Sequence, residues 1–128
     1  MGTRRLPPGN AVRWLVLLLL TSCDRYLCDD VEAAARGGEI VREVYGWDRR
    51  VDVICKPLDR ANETCRTDSP TLEGCAPFPG RAIVVDGRDT CRVVVHEGAH
   101  WMDPMCGHTD ACWPADLEAE GKSLCGAE

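Results

Sequence analysis

The chain is poor in histidine, in basic charge and in long apolar runs, and each shortage narrows what it can be. Its longest unbroken apolar run, residues 14–20, covers seven positions, far short of the ~20 that a bilayer-spanning helix needs. Basic residues number 15 against 21 acidic ones, a net charge of −6, which argues against wrapping nucleic acid and against electrostatic docking on anionic lipid. No internal repeat or low-complexity tract is present, so the 128 residues are not an array of stacked units. Histidine is scarce and confined: there are three, and all of them fall between positions 96 and 108.

What is present at the N-terminus is an export signal. Arg4, Arg5 and Arg13 precede the apolar run, and Thr21-Ser22-Cys23 follows it, which is the layout of a secretory signal peptide over residues 1–22. Leu20-Thr21-Ser22-Cys23 also resembles the bacterial lipobox, in which the cysteine is lipidated and becomes the mature N-terminus. Nine cysteines is an odd number for an exported protein, and setting Cys23 aside leaves eight. Cys28, Cys55, Cys65, Cys75, Cys91, Cys106, Cys112 and Cys125 then make four disulfides, among 105 formal pairings that the sequence does not choose between. An ordinary signal peptide cleaved near Ser22, with a secreted product, is the alternative.

The mature chain, residues 23–128, is one domain of 106 residues. That length builds a modest core, so crosslinks in an oxidising compartment supply much of the stability. Without the three N-terminal arginines the balance is 12 basic to 21 acidic residues, or −9. The expected product is a monomer of the cell envelope, with no nucleic-acid partner and with membrane contact only through a lipid on Cys23.

Along the mature chain, residues 24–45 show apolar positions at three-to-four spacing, interrupted by Gly37-Gly38, which predicts one broken helix or two short ones ending at Gly46. Residues 51–55 alternate as a short strand stopped by Lys56-Pro57. Residues 59–80 hold two cysteines and three prolines with little periodicity, which predicts a disulfide-tied loop region. Residues 81–86 read as a buried or edge strand, closed by the turn Asp86-Gly87-Arg88-Asp89. Thr90 is then a fair N-cap for a helix over 91–103, stopped by Pro104. Val93-Val94-Val95 are mediocre helix formers, but burial overrides so weak a preference. Gly98 inside that helix costs about 1 kcal/mol, which a close approach of backbone or substrate would explain.

The helix matters because it carries His96-Glu97-Gly98-Ala99-His100. Residues four apart share a helical face, so both imidazoles can address one ion, whereas on a strand their Cα atoms would stand about 13 Å apart. Glu97 then sits beside the ion, placed to take a proton from a water that Zn2+ has acidified to a pKa of about 7 and to deliver it to a leaving group. A catalytic zinc commonly has three protein ligands. His108 is the leading third ligand, since Pro104 ends the helix and Gly107 permits a reversal. Glu118 and Glu120 are rivals, on a short second helix starting near Pro114. Asp103 is a candidate partner for a histidine N–H, though a surface charge explains it as well.

These residues resemble a family. His96-Glu97-Gly98-Ala99-His100, then Gly107-His108-Thr109, then Cys112-Trp113 look like the zincin-like metallopeptidases of the SprT-like and WLM type, over about 18 of the 128 residues. The resemblance implies a small α+β zincin-like domain with an active-site helix and a short strand or sheet, His96, His100 and His108 as zinc ligands, and Glu97 as general base. It also implies that residues 82–85 take the place of an edge strand for an extended substrate. The departures are the seven-residue gap between His100 and His108, Pro104 within it, and the disulfide-rich remainder.

Other residues carry weaker signals. Trp101 and Trp113 suit either a cleft lining or packing beneath a disulfide. Tyr26 and Tyr45 are candidate oxyanion donors that nothing in the sequence brings near the site. Asn62-Glu63-Thr64 is a glycosylation sequon without a role in a bacterial lipoprotein. Cys106 and Cys112 flank His108 and clamp it as a disulfide, or ligate zinc as thiolates. The expected function is zinc-dependent hydrolysis of a peptide or protein substrate. The alternative is a Cys-rich surface binding protein with structural zinc or none.

Overall fold

The computed structural model describes residues 24–108 and 111–126. The expected signal peptide, Cys23 and Thr109 lie outside them. The described residues form an α+β domain of four strands and four helices in the order β1 (Arg25–Leu27), α1 (Val31–Tyr45), β2 (Asp52–Lys56), α2 (Leu58–Cys65), β3 (Gly74–Phe78), β4 (Arg81–Val85), α3 (Thr90–Met102) and α4 (Ala115–Cys125). The sheet runs β1-β2-β4-β3. β1, β2 and β4 are parallel, and β3 pairs antiparallel with β4 at one edge.

Strand alternation divides the core in two. Val51, Val53, Ala82 and Val84 face the main core, shared with Ile40 and Val41 of α1 and with Val94, Val95 and Ala99 of α3. Ile83 and Val85 face the opposite side, where Ala61 of α2 and the flanking Ile54, Leu58 and Leu72 cover them. Burial on both faces is why β4 reads as the unbroken run Ala82-Ile83-Val84-Val85 rather than as an alternation.

Gly37-Gly38 does not break α1; the helix is continuous across both. A Cβ on Gly37 would lie 2.7 Å from Val94 Cβ, and one on Gly98 would lie 2.6 Å from Val41 Cγ2. The glycines of α1 and α3 therefore let the two helices approach closely, and this tertiary packing outweighs their poor helix propensity. Gly98 is explained by this contact and not by substrate. Gly46, at φ 75°, ends α1 in the left-handed conformation expected of a C-terminal glycine.

Residues 25–27 form β1 instead of the start of the first helix, which begins at Val31, and three further expectations need correction. Asp89, not Thr90, caps α3: its carboxylate accepts from Arg92 N at 3.3 Å, and Thr90 is the first helical residue. Residues 58–78 are not an irregular loop but contain α2 and β3. Only Ala61 of α2 is fully buried, so its apolar stripe is faint in sequence. Asn62 ties the segment together instead: its side chain donates to Leu58 O and Ser69 O, and accepts from the Thr67 hydroxyl and Ser69 N. That network leaves no free amide at the sequon. Finally, β4 is interior, and the edge strand beside it is β3.

The eight cysteines form four disulfides: Cys28–Cys55, Cys65–Cys75, Cys91–Cys125 and Cys106–Cys112. The first joins the end of β1 to β2, the second joins α2 to β3, and the third joins the start of α3 to the end of α4. The fourth closes a loop of six-residue separation.

Candidate metal centre

His96 and His100 sit one turn apart on the exposed side of α3, whose other side is locked into the core by Val94, Val95 and Ala99. α3 stops at Met102. Asp103 then organises the reversal, its carbonyl accepting from Cys106 N at 3.0 Å and its carboxylate from Met105 N at 3.3 Å. Asp103 thus shapes the turn and does not partner a histidine. The Cys106–Cys112 bridge closes the loop that carries His108, so these cysteines are not thiolate ligands.

The reversal brings His108 Nε2 to 3.0 Å from His100 Nε2. His96, His100 and His108 each offer a ring nitrogen, and these nitrogens lie within 4.8 Å of one another. Burial, and then the neighbouring His96 and His108, depress the pKa of His100, which keeps its lone pair available at neutral pH. A compact set of imidazole donors is the chemistry that divalent zinc and its neighbours favour, so the residues present fit a metal ion.

Neither rival glutamate joins this group. Glu120 is exposed on α4. Glu118 stands behind His96, its Oε2 against His96 Nδ1 at 2.5 Å, while Trp113 Nε1 donates to Oε1 at 3.2 Å and Lys122 Nζ lies 3.2 Å from Oε2. Burial would raise the Glu118 pKa, but the bonds from His96, Trp113 and Lys122 hold it below the usual carboxylate range. With Nδ1 donating to this carboxylate, the His96 Nε2 lone pair is free for a cation. The indole of Trp113 packs against all three histidines, with ring centroids 4.8 to 5.3 Å apart.

Glu97 is 4% exposed, with Oε1 4.0 Å from His100 Nε2. Burial, followed by the Glu118 carboxylate, pushes its carboxyl up to about 8. A divalent cation on the histidines would draw it back toward the ionised form.

The histidines line a cleft of about 450 Å³ whose opposite wall is β3, with Gly74, Ala76 and Phe78 facing His96, His100 and Trp101. A second cavity of about 570 Å³ shares Gly74, His96 and Glu97 with the first and continues toward Glu73, Arg92 and Lys122. Trp101 is a core residue, 2% exposed, donating to Arg81 O and packed on Trp47. Tyr45 donates to Val95 O and Tyr26 to Asp24; burial raises both phenol pKa values, and neither residue lines the cleft.

Sequence reasoning missed two features. The role of Glu118 as the carboxylate orienting His96 was hidden because its spacing suited a ligand equally well. The β3 wall was hidden because Gly74-Cys75-Ala76-Pro77-Phe78 does not alternate. The chain matches no protein-family model, no curated protein and no solved structure.

Proposed function

We propose that this chain is an exported zinc hydrolase acting on peptide bonds, anchored through a lipid on Cys23, with the zincin-like character that its motif resembles. The observation that carries the reading is the meeting of His96, His100 and His108, nitrogens within 4.8 Å of one another, beside the buried Glu97 on one wall of an open cleft. Zn2+ held by the three histidines would supply Lewis acidity and lower the pKa of water to about 7. Glu97 is the general base: it accepts the proton of the attacking water and passes it to the leaving amine. Its near-complete burial keeps bulk water from competing for that proton. Glu118 holds His96 in one tautomer, and β3 offers an edge on which an extended peptide can lie across from the histidines.

The test is bound zinc and hydrolysis of unstructured peptides by the wild type and by Glu97→Gln. The expected result is that both hold zinc and that the variant loses activity by at least about 100-fold, in line with the loss of a general base. A wild type that holds zinc and cleaves no peptide would instead support a surface binding protein with a structural metal.

A further inference from the structure

We infer that the end of the sheet where β1 begins is a docking surface for anionic phospholipid, holding the domain on the membrane with Phe78, which also lines the histidine cleft, at the bilayer face. The inference rests on the proposed anchoring through the N-terminal segment, and it adds a contact which that reading does not contain.

One cross-strand row spans all four strands at this end: Arg25 pairs with Asp52, Asp52 with Arg81, and Arg81 with Phe78. Asp52 is buried, and Arg25, Arg50 and Arg81 converge on its carboxylate at 3.5, 3.0 and 3.2 Å. One carboxylate cannot neutralise three guanidiniums. Arg25 and Arg50 keep 44% and 54% of their side chains exposed. Arg49 is exposed beside them, 4.5 Å over the ring of Trp47. Asp48 is the exposed acid of this connection. Counting the Asp24–Arg42 pair that lies at this same end, Arg25, Arg42, Arg49, Arg50 and Arg81 stand against Asp24, Asp48 and Asp52, a surplus of two positive charges on a body whose balance is −9. Net charge therefore misrepresents this end of the molecule. Phe78, 50% exposed with the Arg81 guanidinium 4.7 Å from its ring, adds an apolar tip, and it also lines the histidine cleft.

Where the chain enters fixes the occupant. The apolar run at 14–20 and Cys23 connect to Asp24 with no spacer. Asp24 is clamped into this end, its side chain 0% exposed, accepting from Arg42 Nη2 at 2.7 Å and from Val51 N at 3.0 Å. A lipid on Cys23 would be tethered two residues before Arg25, and Asp24 accepts from Val51 N, the residue after Arg50. Anionic headgroups complement the arginines, and each arginine at the surface is worth about fivefold in binding.

The full chain is reconstituted into vesicles of phosphatidylcholine alone or mixed with phosphatidylglycerol, and tryptic cleavage after Arg50 is followed by mass spectrometry. On the anionic vesicles cleavage is expected to slow by at least tenfold at low salt, returning to the neutral-vesicle rate near 1 M salt, where the screening length is about 3 Å. Arg25→Gln/Arg49→Gln alters exposed side chains and keeps the Arg50 site; it should weaken the vesicle contact about 25-fold and return cleavage on anionic vesicles to the neutral-vesicle rate. Equal cleavage on the two vesicle types, protection that survives 1 M salt, or equal protection by a soluble polyanion such as heparin would each overturn the inference. The mass of the Cys23 peptide tests the anchor separately: lipidated Cys23 without protection refutes the surface alone, and protection with unmodified Cys23 supports the surface while refuting the lipid.

Discussion

Replacing Glu118 with alanine separates an orienting carboxylate from a metal ligand. In the structure this side chain accepts from His96 Nδ1 and Trp113 Nε1 and pairs with Lys122, but the ligand atoms that converge are those of His96, His100 and His108. Its removal costs His96 a charge-assisted hydrogen bond, with the tautomer and ring orientation that this bond enforces. Losing such a partner typically weakens metal binding by about 10–100-fold, or about 1.4–2.8 kcal/mol. Glu118→Ala should therefore still bind zinc, with affinity lower by that factor when titrated against a competing chromophoric chelator. Glu120→Ala, which removes an exposed side chain from the same helix, should change affinity less than about twofold. Abolition of binding to the extent seen on removing a ligand histidine would mean that Glu118 coordinates the metal directly. Unchanged affinity would mean that the short contact with His96 does not orient it.

Three further outcomes are expected. Gly37→Ala places a methyl 2.7 Å from Val94 Cβ and 3.2 Å from the carbonyl of Cys91, a residue that Cys125 pins in place; overpacking of about 3 kcal/mol less a helix-propensity gain of about 1 gives a net loss near 2 kcal/mol in denaturant melts. For Asp52, burial raises the pKa but the hydrogen bonds from Arg81 and Arg50 lower it more, so its folded pKa lies below the unfolded one; its stabilisation is complete above the unfolded value near 4 and is lost as pH falls through the folded pKa, and Asp52→Asn should be less stable by about 2 kcal/mol at neutral pH with a flatter acid limb. Cys106→Ser/Cys112→Ser opens only the His108 loop, so it should cost about 2 kcal/mol or less of stability, against about 4 for the Cys91–Cys125 bridge, while zinc affinity falls on the order of tenfold because the loop must now be ordered by the metal.

The histidine cluster was legible in the sequence because its geometry is local. A four-residue spacing on a helix, a proline stop and a glycine in the reversal fix the arrangement within a window of 13 residues. The β4 strand was legible for the same reason, as four consecutive apolar residues between a glycine-containing turn and an arginine. What was hidden is set at long range. Gly37-Gly38 reads as a break unless Val94, 57 positions later, is known to press against it. α2 and β3 depend on the Cys65–Cys75 bridge and on the Asn62 network rather than on periodicity. Half of the disulfide map follows from the topology: Cys28–Cys55 links the sheet neighbours β1 and β2, and Cys91–Cys125 links the packed helices α3 and α4. The basic end of the sheet escaped notice because Arg25 and Arg81 reach Asp52, two residues after Arg50, only through the register of β1, β2 and β4.

The most direct measurement is zinc stoichiometry and affinity for the oxidised protein at neutral pH, beside His108→Ala. One zinc ion per wild-type chain, with binding weakened in the variant by at least about 100-fold, is expected if His96, His100 and His108 act as one site. A correctly disulfide-bonded wild type that takes up no zinc, or a His108→Ala variant that binds as tightly as the wild type, would contradict the three-histidine centre.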